Sequence, residues 1–240
     1  MQLECYARTE TGRVRPTNQD AIGCFPDIGL FAVADGMGGH EAGEVASRMA
    51  VENLHSSFAG NPATEHGDRL AHAIAQSNEA IFAAGRPGGK TSSRPMGTTV
   101  VALSLSMAPR RANWAYVGDS RLYVCRKGEL RLLTADHTRF GGKFSKSGEI
   151  PLDVAHTNEL LAALGIESRV QLGSGSDSWR NDDVYLLCSD GISGLVTPEQ
   201  IREGLSQSAP VDEIGARLVD QAIDAGGSDN ASVVLVRPTM

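Results

Sequence analysis

The stretch Phe31-Ala-Val-Ala-Asp35-Gly36 joins a short apolar run to an acidic residue and a glycine. Short runs rich in Val, Leu and aromatic residues that stop at Asp and Gly are typical of buried strands ending in turns. The pattern recurs in Trp114-Ala-Tyr-Val-Gly-Asp119, Val184-Tyr-Leu-Leu-Cys-Ser-Asp190 and Ser228-Asp229-Asn230-Ala-Ser-Val-Val. One such ending is only a turn, because Asp and Gly suit turn backbones. Several in one chain predict strands that bring carboxylates to one rim of a sheet.

Clustered carboxylates repel one another and cannot all stay ionised without cations. Hard divalent metal ions prefer oxygen ligands, so they are the cations expected to bind such a cluster. The chain has no cluster of Cys and His residues that would favour zinc instead. The sequence therefore predicts a metal-dependent hydrolase.

The composition bounds the class of protein. The 240 residues are 41% hydrophobic and 21% charged, which is ordinary for a soluble globular protein. A net charge of −7 argues against non-specific nucleic-acid binding, which needs a basic face. No apolar stretch approaches the roughly 20 residues that span a membrane, and the first residues lack the layout of a signal peptide. We expect a cytoplasmic protein with no nucleic-acid partner and no membrane span.

No linker, low-complexity tract or internal repeat interrupts the chain, so we predict a single domain over residues 1–240. Apolar residues at helical spacing predict helices from about Glu41 to Phe58 and from Leu70 to Ala84. Two later helices are predicted near Pro198 and around Val211 to Ala222. The predicted strands are Leu3–Ala7, Ala21–Phe25, Leu30–Ala34, Thr98–Ser106, Ala112–Val117, Arg121–Arg126, Leu130–Thr134, Val184–Cys188 and Ser232–Val236. Short connections between residues 98 and 134 indicate antiparallel pairing, and paired helices between such strands indicate an α+β fold of sheets covered by helices.

The cysteines are predicted to be buried free thiols. Cys5, Cys24, Cys125 and Cys188 form no close pairs in the sequence and lie in or beside apolar strand-like runs. This placement favours free thiols over disulfides, and the spacing of a zinc site is absent.

An ordered set of short motifs resembles one enzyme family. The motifs are Arg15-Pro-Thr-Asn18-Gln19-Asp20, Asp35-Gly-Met-Gly-Gly-His40, Met96-Gly-Thr-Thr99, Gly118-Asp-Ser-Arg121, Asp136-His137, Ser189-Asp-Gly191 and Ser228-Asp-Asn230. Together, from about Thr9 to Val236, they resemble the bacterial form of the metal-dependent protein serine/threonine phosphatases of the PP2C (PPM) family. The resemblance implies a four-layer α-β-β-α sandwich of two antiparallel sheets flanked by helix pairs. It also implies a manganese or magnesium centre at one end of that sandwich.

The resemblance assigns roles to the aspartates. Asp35 matches the residue that bridges two metal ions, and Gly36 offers a backbone carbonyl beside it. Asp190 and Asp229 match the remaining protein ligands of the first ion, and Asp119 with Asp190 matches a third site of bacterial members. The implied cofactor is thus two Mn²⁺ or Mg²⁺ ions, with a third in bacterial members. Asp20 matches a residue that holds metal-bound water.

Arg15 and His40 are the candidates for contact with the substrate. A guanidinium pairs with two phosphate oxygens and stays charged, and the position of Arg15 five residues before Asp20 matches the family's phosphate-binding arginine. His40 follows the metal-binding Asp-Gly closely and is a candidate general acid for the leaving serine oxygen. The alternative is that His40 only opens and supports the helix that follows. Asp136-His137 is predicted to be structural, as a strand-end turn, and Gly97-Thr98-Thr99 to serve packing.

Two residues depart from the animal branch of the family: Met37 stands where that branch has a histidine, and Gln19 where it has an acidic residue. They leave open the general acid and the complete ligand set of the second ion. The flap of the family corresponds to residues 138–155, which carry Arg139, Lys143 and Lys146 as candidate contacts for a phosphorylated substrate.

The implied function is hydrolysis of phosphoserine and phosphothreonine in proteins by metal-activated water, reversing a bacterial serine/threonine kinase. We expect phosphorylated protein substrates, a cognate kinase pathway and a monomeric enzyme. An aspartate-nucleophile phosphatase is excluded, because no Asp-x-Asp-x-Thr run follows the first strand. The alternative is a catalytically inactive phosphoprotein-binding module of the same fold, but such proteins lose the metal-ligand aspartates that this chain retains.

Overall fold

The computed structural model describes residues 2–38, 41–60, 65–86, 96–139 and 159–239. Eleven strands are β1 (Gln2–Glu10), β2 (Asp20–Phe25), β3 (Leu30–Met37), β4 (Gly97–Thr98), β5 (Val100–Ser106), β6 (Arg111–Val117), β7 (Arg121–Arg126), β8 (Glu129–Leu132), β9 (Gly173–Asp177), β10 (Asp183–Cys188) and β11 (Ala231–Thr239). The α-helices are α1 (Glu41–Ala59), α2 (His66–Ala84), α3 (Asp190–Ser193), α4 (Pro198–Leu205) and α5 (Val211–Asp224). A short 3₁₀ helix, Pro26–Ile28, joins β2 to β3.

The strands form two antiparallel sheets. The first sheet has the order β1-β11-β10-β7-β8, and the second has the order β2-β3-β5-β6-β9 with β4 paired to β3. Three apolar clusters separate four layers. One lies between α1 and α2 and the second sheet, one lies between α3 to α5 and the first sheet, and one lies between the two sheets. The predicted α-β-β-α sandwich is therefore confirmed.

The central strands of the two sheets alternate between two of these clusters. In β3, Ala32 and Ala34 pack toward the helices, whereas Phe31 and Val33 pack between the sheets, and all four are fully buried. Successive side chains of a strand point to opposite faces, so a strand covered on both faces reads as a continuous apolar run. This explains why the run before Asp35 lacks polar alternation.

The helices follow the predicted amphipathic spacing. The first predicted helix corresponds to α1 and the second to α2, in which Leu70, Ala73, Ile74 and Ile81 are fully buried. Helix α4 begins with a complete capping box, because Thr197 accepts from the amide of Gln200 and the Gln200 side chain accepts from the amide of Thr197. No helix in the described ranges is both long and apolar enough to span a bilayer.

The prediction that neighbouring strands pair antiparallel throughout residues 98–134 was wrong at one connection. β5 pairs with β6 and β7 pairs with β8, but β6 and β7 belong to different sheets. The chain crosses between the sheets at Gly118–Ser120, where Gly118 has a φ of 106°. A side chain at Gly118 would overlap Thr99, so this crossing requires glycine.

One strand was missed. The sequence Gly-Ser-Gly-Ser-Asp of β9 has no apolar alternation, yet it pairs with β6. Gly173 lies opposite Tyr116 and Gly175 lies opposite Trp114, and a Cβ atom at either glycine would overlap the facing ring. The large aromatic rings supply the packing that the glycines lack, which no strand propensity predicts.

Candidate metal centre

Loops and strand ends at one end of the sandwich bring the predicted site residues together. Asp20 opens β2 and lies opposite Asp35 of β3 in the antiparallel register. Asp119 lies in the crossing between the sheets, Asp190 opens α3, and Asp229 precedes β11. A cavity of about 270 Å³ is lined by Arg15, Asp35, Gly36, Asp119, Asp190 and Asp229, among other residues. Asp20 does not line this cavity and is buried.

The backbone of Asp35 is held by two threonines that the sequence analysis assigned only to packing. The Asp35 amide donates to Thr99 Oγ1 (3.1 Å), and the Asp35 carbonyl accepts from the Thr98 hydroxyl and the Thr99 amide, both at 2.8 Å. These contacts interrupt the predicted strand Thr98–Ser106 at Thr99. The backbone beside Asp35 is close-packed as well, because a Cβ at Gly36 would overlap the carbonyl oxygens of Gly43 and Gln19.

The turn that carries Asp119 is fixed from both sides. His137 donates its amide to Gly118 O (2.9 Å) and accepts the Gly118 amide at Nδ1 (3.3 Å). Asp136 forms a bidentate ion pair with the Arg121 guanidinium, with a closest distance of 2.6 Å. Asp136 and His137 thus have the structural role predicted for them, although they act on the crossing between the sheets.

Asp20 is a buried acid with one hydrogen-bonded oxygen. Its Oδ2 accepts from the Ser232 hydroxyl at 2.6 Å, whereas its Oδ1 has no hydrogen-bond partner in the part of the chain that the structure describes. Burial raises the pKa of Asp20 to about 6, with Asp190 and Asp229 adding to the rise and Ser232 and Ser189 opposing it.

Three further carboxyl groups, those of Asp35, Asp119 and Asp190, show the same resistance to ionisation. Burial raises the pKa of Asp35 well above its ordinary value, and the neighbouring charges of Asp20 and Asp190 raise it further. Burial and Asp190 raise the pKa of Asp119 to about 7. Burial and Asp229 raise the pKa of Asp190, against a hydrogen bond with Asp35 that lowers it. The site therefore favours bound protons or bound cations over bare carboxylates.

The donor set fits hard divalent cations. Among the described residues, buried carboxylate oxygens without a partner occur at Asp20 and Asp190, and the charged groups that line the cavity are aspartates apart from Arg15. Carboxylate, carbonyl and water oxygens suit Mg²⁺ and Mn²⁺. No three Asp, Glu, His or Cys side chains of the described ranges are arranged so that they could hold an ion by themselves, so carbonyl oxygens and water would have to supply further ligands.

Arg15 reaches the centre and bonds one of its aspartates. Its Nη2 donates to Asp229 Oδ2 at 2.6 Å, and the two side chains are 52% and 30% exposed. The hydrogen bond to Asp229 and the charges of Asp229, Asp190 and Asp35 raise the pKa of the guanidinium. Arg15 is thus a permanent cation at the mouth of an acidic cavity.

Asn230, for which no role was predicted, holds the segment that carries Arg15. Its Nδ2 donates to Thr11 O (2.9 Å) and Thr17 O (3.0 Å), and its Oδ1 accepts the Gln19 amide (2.9 Å). One side chain therefore ties both ends of the Arg15 loop to the start of β11. The signal was present in Ser228-Asp-Asn230, but an amide that bonds distant backbone groups has no local sequence signature.

The chain matches a known family in sequence and in fold. The model of the family described as Protein phosphatase 2C matches residues 13–230. The chain belongs to the protein phosphatase 2C family. It is similar to the serine/threonine phosphatase stp of Listeria monocytogenes, with 35% identity over 95% of this chain and 93% of the relative.

Solved structures also resemble this member of the protein phosphatase 2C family. The crystal structure of the Mycobacterium tuberculosis serine/threonine phosphatase PstP/Ppp has a TM-score of 0.87 and 33% identity and covers 99% of both chains. The catalytic domain of PstP in complex with two manganese ions has a TM-score of 0.84 and 35% identity and covers 99% of both chains. The predicted family, fold and enzyme class, a metal-dependent phosphoprotein phosphatase, are confirmed.

Part of the predicted phosphatase site lies outside the described residues. His40, Lys143 and Lys146 belong to that part, as do residues 140–155 of the predicted flap. The ends of the flap segment are described: Thr138 pairs with Leu160 in an isolated β-bridge, and Arg139 forms an ion pair with Glu159 at 2.9 Å. The charge of Arg139, a predicted substrate contact, is thus already paired within the chain.

A second cavity adjoins the phosphatase centre. It has a volume of about 650 Å³, and Met37 and Leu160 line both cavities. Leu161, Ile166 and Leu172 supply further apolar lining, and Leu161 is 62% exposed. The centre therefore adjoins a groove in which apolar side chains lie beside charged ones such as Glu167 and Arg169.

Proposed function

We propose that this chain hydrolyses phosphoserine and phosphothreonine in proteins with two bound Mn²⁺ or Mg²⁺ ions, with Asp35, Gly36, Asp190 and Asp229 as protein ligands. The observation that supports it is the raised pKa values of the buried aspartates in one cavity, in a chain of the protein phosphatase 2C family. A relative of the same fold is described as a complex with two manganese ions. We further propose that Asp119 and Asp190 serve a third ion.

Two divalent ions, when bound, supply an activated water at neutral pH and screen the charge of the phosphate. The protein has to arrange its ligands before that chemistry begins. Thr98 and Thr99 fix the backbone of Asp35, and the crossing at Gly118 presents Asp119 to the same cavity. Asp20, held by Ser232, has one free carboxylate oxygen that can accept a hydrogen bond from water.

We assign phosphate binding to Arg15. Its planar guanidinium matches two phosphate oxygens, and it stays charged at every relevant pH. The bond to Asp229 uses one nitrogen, Nη2, so the remaining donors of the guanidinium are available to an oxyanion. We retain His40 as the candidate general acid for the leaving alkoxide, on the sequence argument alone.

The biological setting is proposed on the sequence and family only. We propose that the substrates are proteins phosphorylated by a bacterial serine/threonine kinase, and that the enzyme works as a single-domain monomer in the cytoplasm. Size-exclusion chromatography with light scattering tests the monomer, and a dimer at micromolar concentration would contradict it.

The alternative of an inactive phosphoprotein-binding module is tested by the same assay as the activity. Phosphate release from a phosphothreonine peptide is measured with added Mn²⁺, with chelator, and with Mn²⁺ restored. We expect turnover only when the metal is present, and none from Asp35→Asn. Binding of the peptide without turnover under all three conditions would establish the inactive module, and full turnover after exhaustive chelation would refute the metal centre.

A further inference from the structure

The thiols of Cys5 and Cys24 face each other at the side of the sandwich. Cys24 Sγ donates to Cys5 Sγ at 3.2 Å, although the two residues are 19 positions apart in sequence. Both thiols are free, as predicted, but they are half-buried, so the predicted burial was wrong for this pair. A disulfide bond needs a sulfur–sulfur distance of about 2.05 Å. Rotation of the two side chains would have to bring the sulfurs closer before a bond could form.

The fold explains why these two cysteines meet. β1 is the edge strand of the first sheet and β2 is the edge strand of the second sheet. Cys5 and Cys24 both pack against the apolar cluster between the sheets. Their side chains therefore bridge the open edge of the sandwich, where no backbone hydrogen bonds join the two strands.

The other two cysteines have a different environment. Cys125 and Cys188 are buried under the helices that cover the first sheet. Cys125 Sγ lies 3.5 Å from the Ser206 hydroxyl and not near a thiol. They serve as internal controls, because a general oxidant reaches the half-buried pair first.

We propose that Cys5 and Cys24 are an oxidative modification site, and that a hydroperoxide converts them to a reversible disulfide that joins the two sheets. In the first step a Cys5 thiolate attacks hydrogen peroxide, takes up one oxygen as sulfenic acid and, with one proton, releases one water. In the second step the Cys24 sulfur attacks the Cys5 sulfur, and the hydroxyl group leaves with the Cys24 proton as a second water. The two thiols lose two electrons in total, and the peroxide gains them.

The order of attack follows from the hydrogen bond. Burial, together with Cys5, raises the pKa of the Cys24 thiol to about 12, so Cys24 keeps its proton and donates it. Cys5 accepts that hydrogen bond, so its own thiol proton is not held in the contact between the two sulfurs. Cys5 is therefore the sulfur that meets the oxidant, and Cys24 is the sulfur that resolves the sulfenic acid.

The expected consequence is greater resistance to unfolding. A bond between residues 5 and 24 closes a loop in the unfolded chain and fastens two edge strands that share no ladder. For a loop of this length in a chain of this size, the increase in Tm should be about 5–10 °C.

The test uses the full chain, freed of metal with chelator so that no bound ion consumes peroxide, and treated with hydrogen peroxide. We expect an intact mass lower by two hydrogen atoms and two fewer titratable thiols under denaturing conditions. Trypsin cleavage after Arg8 and Arg13 separates the cysteines, so a linked peptide pair that dithiothreitol resolves identifies the bond. The increase in Tm should be reversed by the same reductant.

Variants separate this pair from the remaining thiols. Cys5→Ser and Cys24→Ser should each abolish the linked peptide and the increase in Tm, and Cys125→Ala, the matched control, should keep both. Sulfinic or sulfonic acid at Cys5 of the wild-type chain, without a linked peptide, would overturn the proposal. A bond mapped to another pair of cysteines would overturn it as well, and neither result depends on the folding of a variant.

Discussion

Arg15 and Asp229 form an ion pair of 2.6 Å at the mouth of the carboxylate cavity. The proposed phosphate-binding residue thus bonds a proposed metal ligand directly. The guanidinium occupies one carboxylate oxygen, Oδ2, while Asp229 Oδ1 accepts the Asn230 amide at 2.9 Å. A cation that bound Asp229 at Oδ2 would compete with Arg15, so we expect the two proposed roles, phosphate binding and metal binding, to be coupled through this pair.

Arg15→Ala should change two constants in opposite directions. The KM for a phosphopeptide should rise, with a smaller loss in kcat, because the guanidinium is proposed to bind phosphate in the ground and transition states alike. The Mn²⁺ concentration for half-maximal activity should fall, because a competing cation is removed. Arg13→Ala is the matched control, since Arg13 is similarly exposed and pairs with Asp224. Weaker Mn²⁺ activation in Arg15→Ala would show instead that Arg15 positions Asp229 for the metal.

Asp190→Asn should abolish turnover without destabilising the metal-free fold. The substitution removes a charge that is proposed to serve two metal sites, and it relieves repulsion among buried carboxylates. We expect a decrease in kcat of more than about tenfold, which corresponds to about 1.4 kcal/mol of activation barrier. Asp182→Asn, on an exposed turn, is the control. A variant that keeps more than a tenth of wild-type kcat would exclude the assignment.

The stability of the metal-free protein should fall as the pH rises. The pKa values of Asp20 and Asp119 are raised to about 6 and about 7, above those of the unfolded chain. The folded state therefore holds protons that the unfolded state has released, and the stability they contribute is lost as the pH increases from about 4 to about 7. In chelator, Tm should be higher near pH 5 than near pH 8. Saturating Mn²⁺ should remove most of this difference, and an unchanged slope would contradict the proposed electrostatics.

Asn230→Ala should reduce both stability and substrate binding. The substitution leaves the Gln19 amide and the carbonyls of Thr11 and Thr17 without their partner, at a cost of about 1–3 kcal/mol. The loop that carries Arg15 should then be less ordered, so KM should rise as in Arg15→Ala. Urea unfolding and steady-state kinetics measure the two effects, with Asn181→Ala as an exposed control. A loss of stability with unchanged KM would limit Asn230 to a structural role.

His40→Ala should separate the two proposed roles of this histidine. A general acid is needed for the serine alkoxide but not for p-nitrophenolate, so phosphoserine hydrolysis should slow by about 10²-fold while p-nitrophenyl phosphate is hardly affected. Both kcat values should be measured at saturating Mn²⁺, with His72→Ala on the exposed face of α2 as control. An equal decrease in kcat for the two substrates would show that His40 is not the general acid. Its role would then be to support the turn after Asp35.

The local sequence was sufficient for most of the strands, for the longer helices and for the ordered set of motifs. An apolar run such as that before Asp35 is buried on both faces in any sheet, and the spacing of Leu70, Ala73 and Ile74 predicts one buried helical face. These patterns depend on neighbours within a few positions along the chain. The aspartates at the strand ends, and the family that they identify, could therefore be predicted without coordinates.

Only the tertiary structure decided which distant groups meet. The crossing at Gly118 moves the chain between sheets, the rings of Tyr116 and Trp114 sustain the glycine-rich β9, and Asn230 fastens the loop of Arg15. The contact between Cys5 and Cys24 likewise depends on how two edge strands are stacked. In each case the path of the backbone or the packing of the sheets brings together residues that are distant in sequence. Local periodicity describes only near neighbours in the chain, so it cannot predict such contacts.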